Sequence, residues 1–291
     1  MRIFRAKKDD AGTRADVFLA SKFPNFTRSS LGRLFDKKLV KLADGHLKPS
    51  YRVKPTDKIE VNDASLKLPI KQIELPVIYE NDNVMVVNKP EGVLTHSKGA
   101  VNEEATVASF IKPKLSSEFA DNNRGGIVHR LDRATSGVLI TAKNPETVSY
   151  LQKQFSNRKV KKHYTAIVDG ELEQAEALID VPIQRNPKKP QTFRASSGGK
   201  PARTHYKLIK TITKDGKTYS LVELAPETGR THQIRVHMAY LGHPVTGDRV
   251  YGAGGQEHLY LHSTKLEITM PEGQRKVFEA PLPPYFKEFL A

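Results

Sequence analysis

Apolar positions in the first part of the chain switch between helical and strand-like spacing. Val17, Phe18 and Leu19 fall in a short helical stretch that stops before Phe23-Pro24. Leu31, Leu34 and Phe35 then recur at i, i+3 and i+4, with Thr27 placed to cap a second helix. Much of the rest of that helix is basic, with Arg28, Arg33, Lys37 and Lys38. Val40-Lys41-Leu42 and Ile59-Glu60-Val61 read as short strands, with a turn at Asp44-Gly45. These elements predict a compact helix-helix-strand unit over residues 1–62. Residues 63–75, which include Pro69 in a mixed polar and apolar run, read as a linker.

From residue 76 the pattern changes. Val77 to Glu80 and Val84 to Val87 read as two strands around a polar turn. Further strands are expected at 138–142, 162–168, 203–212 and 218–224, the last two joined at Asp215-Gly216. Helices are expected at 106–112, at 145–157 behind an Asn144 cap and Pro145, and at 231–241 behind Thr231. Hairpins interspersed with helices predict an α+β domain over 76–291, built on a mainly antiparallel mixed sheet flanked by helices and loops. The basic, Pro-rich stretch from Gln184 to Pro190 reads as a loop lying near RNA.

Charge sharpens this picture. The chain carries 47 Lys and Arg against 32 Asp and Glu, a net +15. Residues 1–70 hold 16 basic and 8 acidic residues, and the remaining 221 hold 31 and 24. Positive charge is about threefold denser in the first segment, as a phosphate-binding module requires. Cysteine is absent, which excludes disulfides and thiolate chemistry. No apolar run is long enough to span a bilayer, and the start of the chain lacks the apolar core of a secretion signal. A cytoplasmic protein is expected.

Three clusters carry candidate chemistry. The first runs from Gly125-Gly126 through His129-Arg130-Leu131-Asp132-Arg133 to Thr135-Ser136-Gly137, a tight loop entering an apolar strand. Asp132 stands among cations, which favour an ionised carboxylate, although a surface salt-bridged turn would look the same. The second is Lys162-His163-Tyr164, where alternation puts Lys162 and Tyr164 on one strand face. The third is Gly229-Arg230-Thr231-His232-Gln233-Ile234-Arg235-Val236-His237. An Arg at a helix entry opposes the helix dipole and suggests an anionic partner for Arg230. His232 and His237 are not four apart, so a helical zinc pair is rejected and no metal is expected.

Together with Asn88-Lys89-Pro90-Glu91-Gly92, Gly242-His243-Pro244, Gly247-Asp248, Tyr251-Gly252 and Leu261-His262, these clusters resemble the RluA-type pseudouridine synthases over 76–291. Residues 13–61 resemble the small RNA-binding module named for ribosomal small-subunit protein four. The resemblance implies Asp132 as the catalytic carboxylate and Tyr164 as a contact to the flipped uracil that helps remove a proton. It implies that Arg230 pairs with Asp132, and that Arg130 enters the duplex where the base leaves. RNA contacts are expected at Arg130, Arg28, Arg33, Lys37, Lys38, Lys89 and His232. Ser263 departs from the pattern, which leads one to expect alanine after Leu261-His262. Isomerising uridine adds and removes no atom, so no cofactor is expected. The expected partner is RNA, with ribosomal RNA favoured over transfer RNA, and nothing demands more than a monomer. The rivals are a non-catalytic RNA-binding or ribosome-assembly factor, and a hydrolase using His129 and Asp132, for which no Gly-x-Ser-x-Gly elbow exists.

Overall fold

The computed structural model describes residues 1–24, 26, 28–43, 45–66, 73–97, 104–119 and 124–291. Thr27, Asp44 and residues 67–72 of the expected linker lie outside them. In the first unit, β1 (Arg2–Arg5) is followed by α1 (Ala15–Lys22), α2 (Arg28–Asp36), β2 (Val40–Leu42), β3 (Gly45–His46) and β4 (Lys58–Val61). The strands form one antiparallel sheet in the order β1-β4-β2-β3. The helices bury Phe18, Leu19, Leu31 and Leu34 against Val40, Ile59 and Val61. Each such side chain contributes about 2 kcal/mol of transfer free energy. This core draws only on residues 4–66, whereas the other cores begin at Ile73. Leu75, read as linker, is buried in one of those.

The second unit opens with β5 (Val77–Glu80) and β6 (Val84–Lys89), then α3 (Val107–Ile111), β7 (Ser136–Ala142) and α4 (Pro145–Ser156). Next come β8 (Lys161–Asp169), β9 (Glu176–Asp180), β10 (Ile183–Arg185), β11 (Phe193–Ala195), β12 (Arg203–Lys214) and β13 (Lys217–Pro226). The chain ends with α5 (Gln233–Tyr240), β14 (Leu261–Thr269), β15 (Arg275–Glu279) and α6 (Pro284–Leu290). Nine strands form one sheet in the order β5-β6-β7-β14-β8-β13-β12-β9, with β15 added on β14. Only the β7–β14 pair is parallel among the described strands, which is the mainly antiparallel mixed sheet expected. β10 and β11 stand apart as a two-stranded hairpin.

Local chemistry explains the regular parts. Asn144 Oδ1 accepts from the Thr147 amide at 2.9 Å, and Pro145 opens α4 without a wasted donor. Asp215 and Gly216 both take positive φ, 51° and 71°, the primed turn that matches strand twist between β12 and β13. The central strands are apolar on both faces. Val84, Val86, Val138 and Ile140 pack with Leu151 of α4, while Met85, Val87 and Leu139 pack on the other side with Ile111 and Leu131. That second core holds the residue next to Asp132.

Candidate active site

The loop from Arg130 to Thr135 leads into β7 and is pinned on both sides of Asp132. Before it, Leu131 is buried, and Thr95 Oγ1 both donates to the Leu131 carbonyl (2.8 Å) and accepts from its amide (3.2 Å). After it, the Arg133 carbonyl accepts from the Gly92 amide at 2.8 Å and from Lys89 Nζ at 3.2 Å. Lys89 also donates to the carbonyls of Pro90 (2.9 Å) and Val93 (2.8 Å) and is fully buried. Lys89, expected as an RNA contact, lies inside the protein, where three carbonyls take its three donors. Burial pulls its ammonium down to about 7, against the fields of Asp132 and Glu91.

The pinned loop presents Asp132 to a cavity of about 470 Å³ whose lining includes Arg130, Lys162, Tyr164, Arg230, His232 and Arg235. This is room for one nucleoside. Arg235 NH1 lies 3.7 Å and His232 Nε2 3.8 Å from Asp132 Oδ2. Arg235 is buried, and its other donors grip buried Asp248 in two bonds of 2.7 Å. Arg230, expected as the partner of Asp132, instead donates from Nε to the Pro201 carbonyl at 3.0 Å. The cation facing the carboxylate is Arg235, one turn into α5. An Arg between Ile234 and Val236 carries no periodic signal, so the sequence does not single it out. Asp248 in the Gly-Asp pair was the available clue to a buried partner.

The entry to α5 also differs from expectation. Thr231 does not cap the helix; His232 does, with a left-handed φ of 57°. Gln233, the first residue of the helix, instead fixes the segment that leads into it. Its Oε1 accepts from the Arg230 amide at 3.0 Å and from Thr228 Oγ1 at 2.6 Å, while Nε2 donates to the Arg203 carbonyl and Thr204 Oγ1, both at 2.9 Å. This buried side chain thus satisfies four groups and holds the approach to the helix in place.

Tyr164 and Lys162 project from β8 into the cavity as alternation predicts. Burial pushes the Tyr164 phenol up to about 12; a hydrogen bond from Ser263 opposes the rise and Asp132 adds to it. Ser263 is buried and stands opposite Tyr164 across β14 and β8, so the departure from the expected alanine places a hydroxyl against this phenol. Lys162 donates to the Thr228 carbonyl at 2.8 Å, and burial lowers it to about 8. Arg130 is exposed at the rim. His129 stacks on Phe155 (4.6 Å between centroids), accepts from the Ile140 amide at 3.1 Å, and is driven to about 3 by burial and by Lys162. With that nitrogen spent, a His129–Asp132 hydrolase has no base.

Arg28, Arg33, Lys37 and Lys38 are not among the residues lining the cavity; they belong to or follow α2. Arg28 is paired with Asp16 at 2.9 Å, and Asp16 also takes Arg14 at 3.0 Å. Lys37 and Lys38 are exposed. No cluster of three or more His, Asp or Glu suited to a metal occurs among the described residues.

The sequence model of the family described as RNA pseudouridylate synthase matches residues 83–240. The ribosomal large subunit pseudouridine synthase D of Borreliella burgdorferi is 38% identical over 96% of this chain and 89% of its own length. An RNA pseudouridine synthase of Bacillus subtilis is 33% identical over 98% and 95%. The solved structure of human RNA pseudouridylate synthase domain containing 1 superposes with a TM-score of 0.59 at 28% identity, covering 72% of this chain and 84% of the other. With a family match across more than half its length and relatives of this identity along nearly all of it, the chain belongs to the RNA pseudouridylate synthases.

Proposed function

We propose that this isomerase converts specific uridines of large-subunit ribosomal RNA to pseudouridine, with Asp132 as the essential carboxylate. The observation that carries this reading is a carboxylate on a doubly pinned loop, at a nucleoside-sized cavity, faced by a buried Arg235 and by Tyr164. The ribosomal target is supported by the names of relatives alignable along nearly the whole chain. Residues 1–62, dense in positive charge and with their own core, are read as the RNA-binding domain, and 76–291 as the catalytic one. No helix among the described residues is long and apolar enough to cross a membrane; we read the protein as a cytoplasmic monomer.

The chemistry follows from what each group can do. The target uridine must leave its stack, at a cost of a few kcal/mol. Arg130, at the rim, is suited to fill the space it vacates. Asp132 then either attacks the nucleoside or takes a sugar proton, and the glycosidic bond breaks. The ring turns and carbon five bonds to the sugar as the bond to Asp132 breaks or the sugar proton is given back; a base then removes the proton on carbon five, and N1 takes one up. Tyr164, held as a neutral phenol, is suited to pack against and hydrogen-bond the ring, not to act as a phenolate.

The test is pseudouridine mapping on total RNA from cells lacking this gene, complemented with wild type or Asp132→Asn. Specific sites lost and restored by wild type alone are expected, and they name the substrate. Restoration by Asp132→Asn would end the assignment of Asp132, and ribosomal RNA with an unchanged map would end the proposed target.

A further inference from the structure

Behind the carboxylate, one tyrosine hydroxyl joins the cavity to the β10–β11 hairpin. The Phe193 amide in β11 donates to Tyr251 Oη at 2.9 Å, and Oη lies 2.7 Å from His232 Nδ1. A backbone N–H can only donate, so the Phe193 amide occupies one lone pair of the phenol, and the arrangement that also gives the hydroxyl proton an acceptor points it at Nδ1. A neutral imidazole accepting at Nδ1 carries its own proton on Nε2. That nitrogen is the one 3.8 Å from Asp132 Oδ2.

The same tyrosine fixes the surroundings. Its ring meets the His232 ring edge-on with centroids 5.6 Å apart, and Phe193 meets it edge-on at 5.7 Å. The Arg235 guanidinium lies 5.2 Å from the centroid of the Tyr251 ring, a cation–π distance. Both groups that face Asp132 therefore rest on Tyr251. Arg185 sits 5.1 Å over Phe193 on the hairpin side.

We propose that Tyr251 is a positioning residue: through its hydroxyl and the Phe193 amide it holds His232 as the tautomer protonated at Nε2, with that donor aimed at Asp132 and at the carbonyl oxygens of a uracil in the cavity. This rests on the reading of Asp132 as the reacting carboxylate. The charges around the ring agree. Burial lowers the pKa of His232, Arg235 and Arg130 lower it further, and Asp132 and Asp248 work the other way, with a net fall that favours the neutral ring. Uracil offers two carbonyl acceptors near any such donor, and an Nε2 lone pair there would repel both them and the carboxylate.

The experiment compares wild type, Tyr251→Phe and Asp132→Asn by tritium release from a large-subunit ribosomal RNA transcript labelled at carbon five of uridine. Nitrogen-15 histidine spectra accompany it, with His232 assigned by its loss in His232→Ala. The wild-type spectrum should show an unprotonated Nδ1 and a protonated Nε2. Tyr251→Phe keeps the ring under Arg235 but loses the hydroxyl. It should populate both tautomers, lower kcat between about tenfold and a hundredfold, and leave KM within about twofold, as loss of an interaction made only in the transition state predicts. Its acid limb should move to higher pH, because the donor that stabilised the neutral ring is gone. The reverse tautomer in wild type overturns the proposal, and that reading needs no variant to fold. So does a Tyr251→Phe enzyme with unchanged kcat and acid limb. If Asp132→Asn is inactive while Tyr251→Phe is normal, only this inference falls; an active Asp132→Asn removes its premise as well.

Discussion

Arg235 and Arg230 both line the cavity, and they differ in what holds their guanidinium groups. Arg235 is buried, doubly bonded to Asp248, and has NH1 left to face Asp132. The Arg230 side chain is tethered by a bond from Nε to the Pro201 carbonyl. Lysine cannot reproduce the planar fork. Arg235→Lys is therefore expected to lower kcat by about a hundredfold, the scale of losing one preorganised electrostatic partner. It should also cost about 3 kcal/mol of stability, because Asp248 is left buried with an incomplete partner. Arg230→Lys is expected to change KM for RNA and leave kcat within about threefold, since its contact is with the backbone. Steady-state kinetics on the two variants, with a urea titration for each, check the assignment. Equal loss of kcat in both would mean that Arg230 turns to the carboxylate when RNA is bound.

Elements set where these residues can stand, and their legibility varied for physical reasons. Strands β6 and β7 were plain as apolar runs, and the Asn144-Pro145 cap and Asp215-Gly216 turn announced themselves by local chemistry. β14 was hidden. Its start, Leu261-His262-Ser263-Thr264, has polar residues that are buried because partners on other elements satisfy them, which no local period reveals. The site was legible as a set of motifs, but the choice of Arg235 over Arg230 and the inward turn of Lys89 depend on interactions distant in sequence. Two such interactions carry predictions. Lys89→Met keeps the length of the side chain but takes this donor from the Pro90 and Val93 carbonyls and leaves the Arg133 carbonyl with the Gly92 amide alone, so a loss of about 2 kcal/mol is expected. Urea unfolding midpoints measure it, and a loss under about 1 kcal/mol would show that the loop repacks without the ammonium. His262 ties the start of β7 to the Ala280 carbonyl: its Nδ1 lies 2.8 Å from Ser136 Oγ and its Nε2 3.3 Å from the Ala280 oxygen. Burial lowers it to about 4 from 6.5, so the folded state binds fewer protons than the unfolded chain in that interval. Its stabilisation is complete above pH 6.5 and is lost as pH falls toward 4, on the order of 3 kcal/mol in all. His262→Gln should flatten that part of the stability–pH curve, read by urea titrations at several pH values; an unchanged slope would place the acid sensitivity elsewhere.

At the scale of the molecule, the hydrophobic core of the first unit is separate from those of the second. The core of residues 4–66 has no member in common with those that begin at Ile73, and none of its residues lines the cavity. The first 70 residues nonetheless carry a net +8 of the total +15. Charge of this sign, where it meets a polyanion, raises affinity through counterion release without regard to sequence. On the proposed reading, holding structured RNA is the task of α2 and the residues after it, and the chemistry is kept around Asp132. That separation makes a quantitative claim. Reversing Arg33, Lys37 and Lys38 to Glu should weaken binding to structured ribosomal RNA and lower the slope of log affinity against log salt by about 1 for each phosphate no longer neutralised. Turnover of a short hairpin, small enough to engage only the cavity, should change much less, because the reversed residues lie outside the cavity lining. Filter binding across a salt series, beside tritium release from both RNAs, separates the two effects. An unchanged salt slope would mean that these side chains meet no phosphate. Equal loss of hairpin turnover would mean that the first unit reaches the cavity when RNA is bound, and the division into a holding unit and a reacting unit would fail.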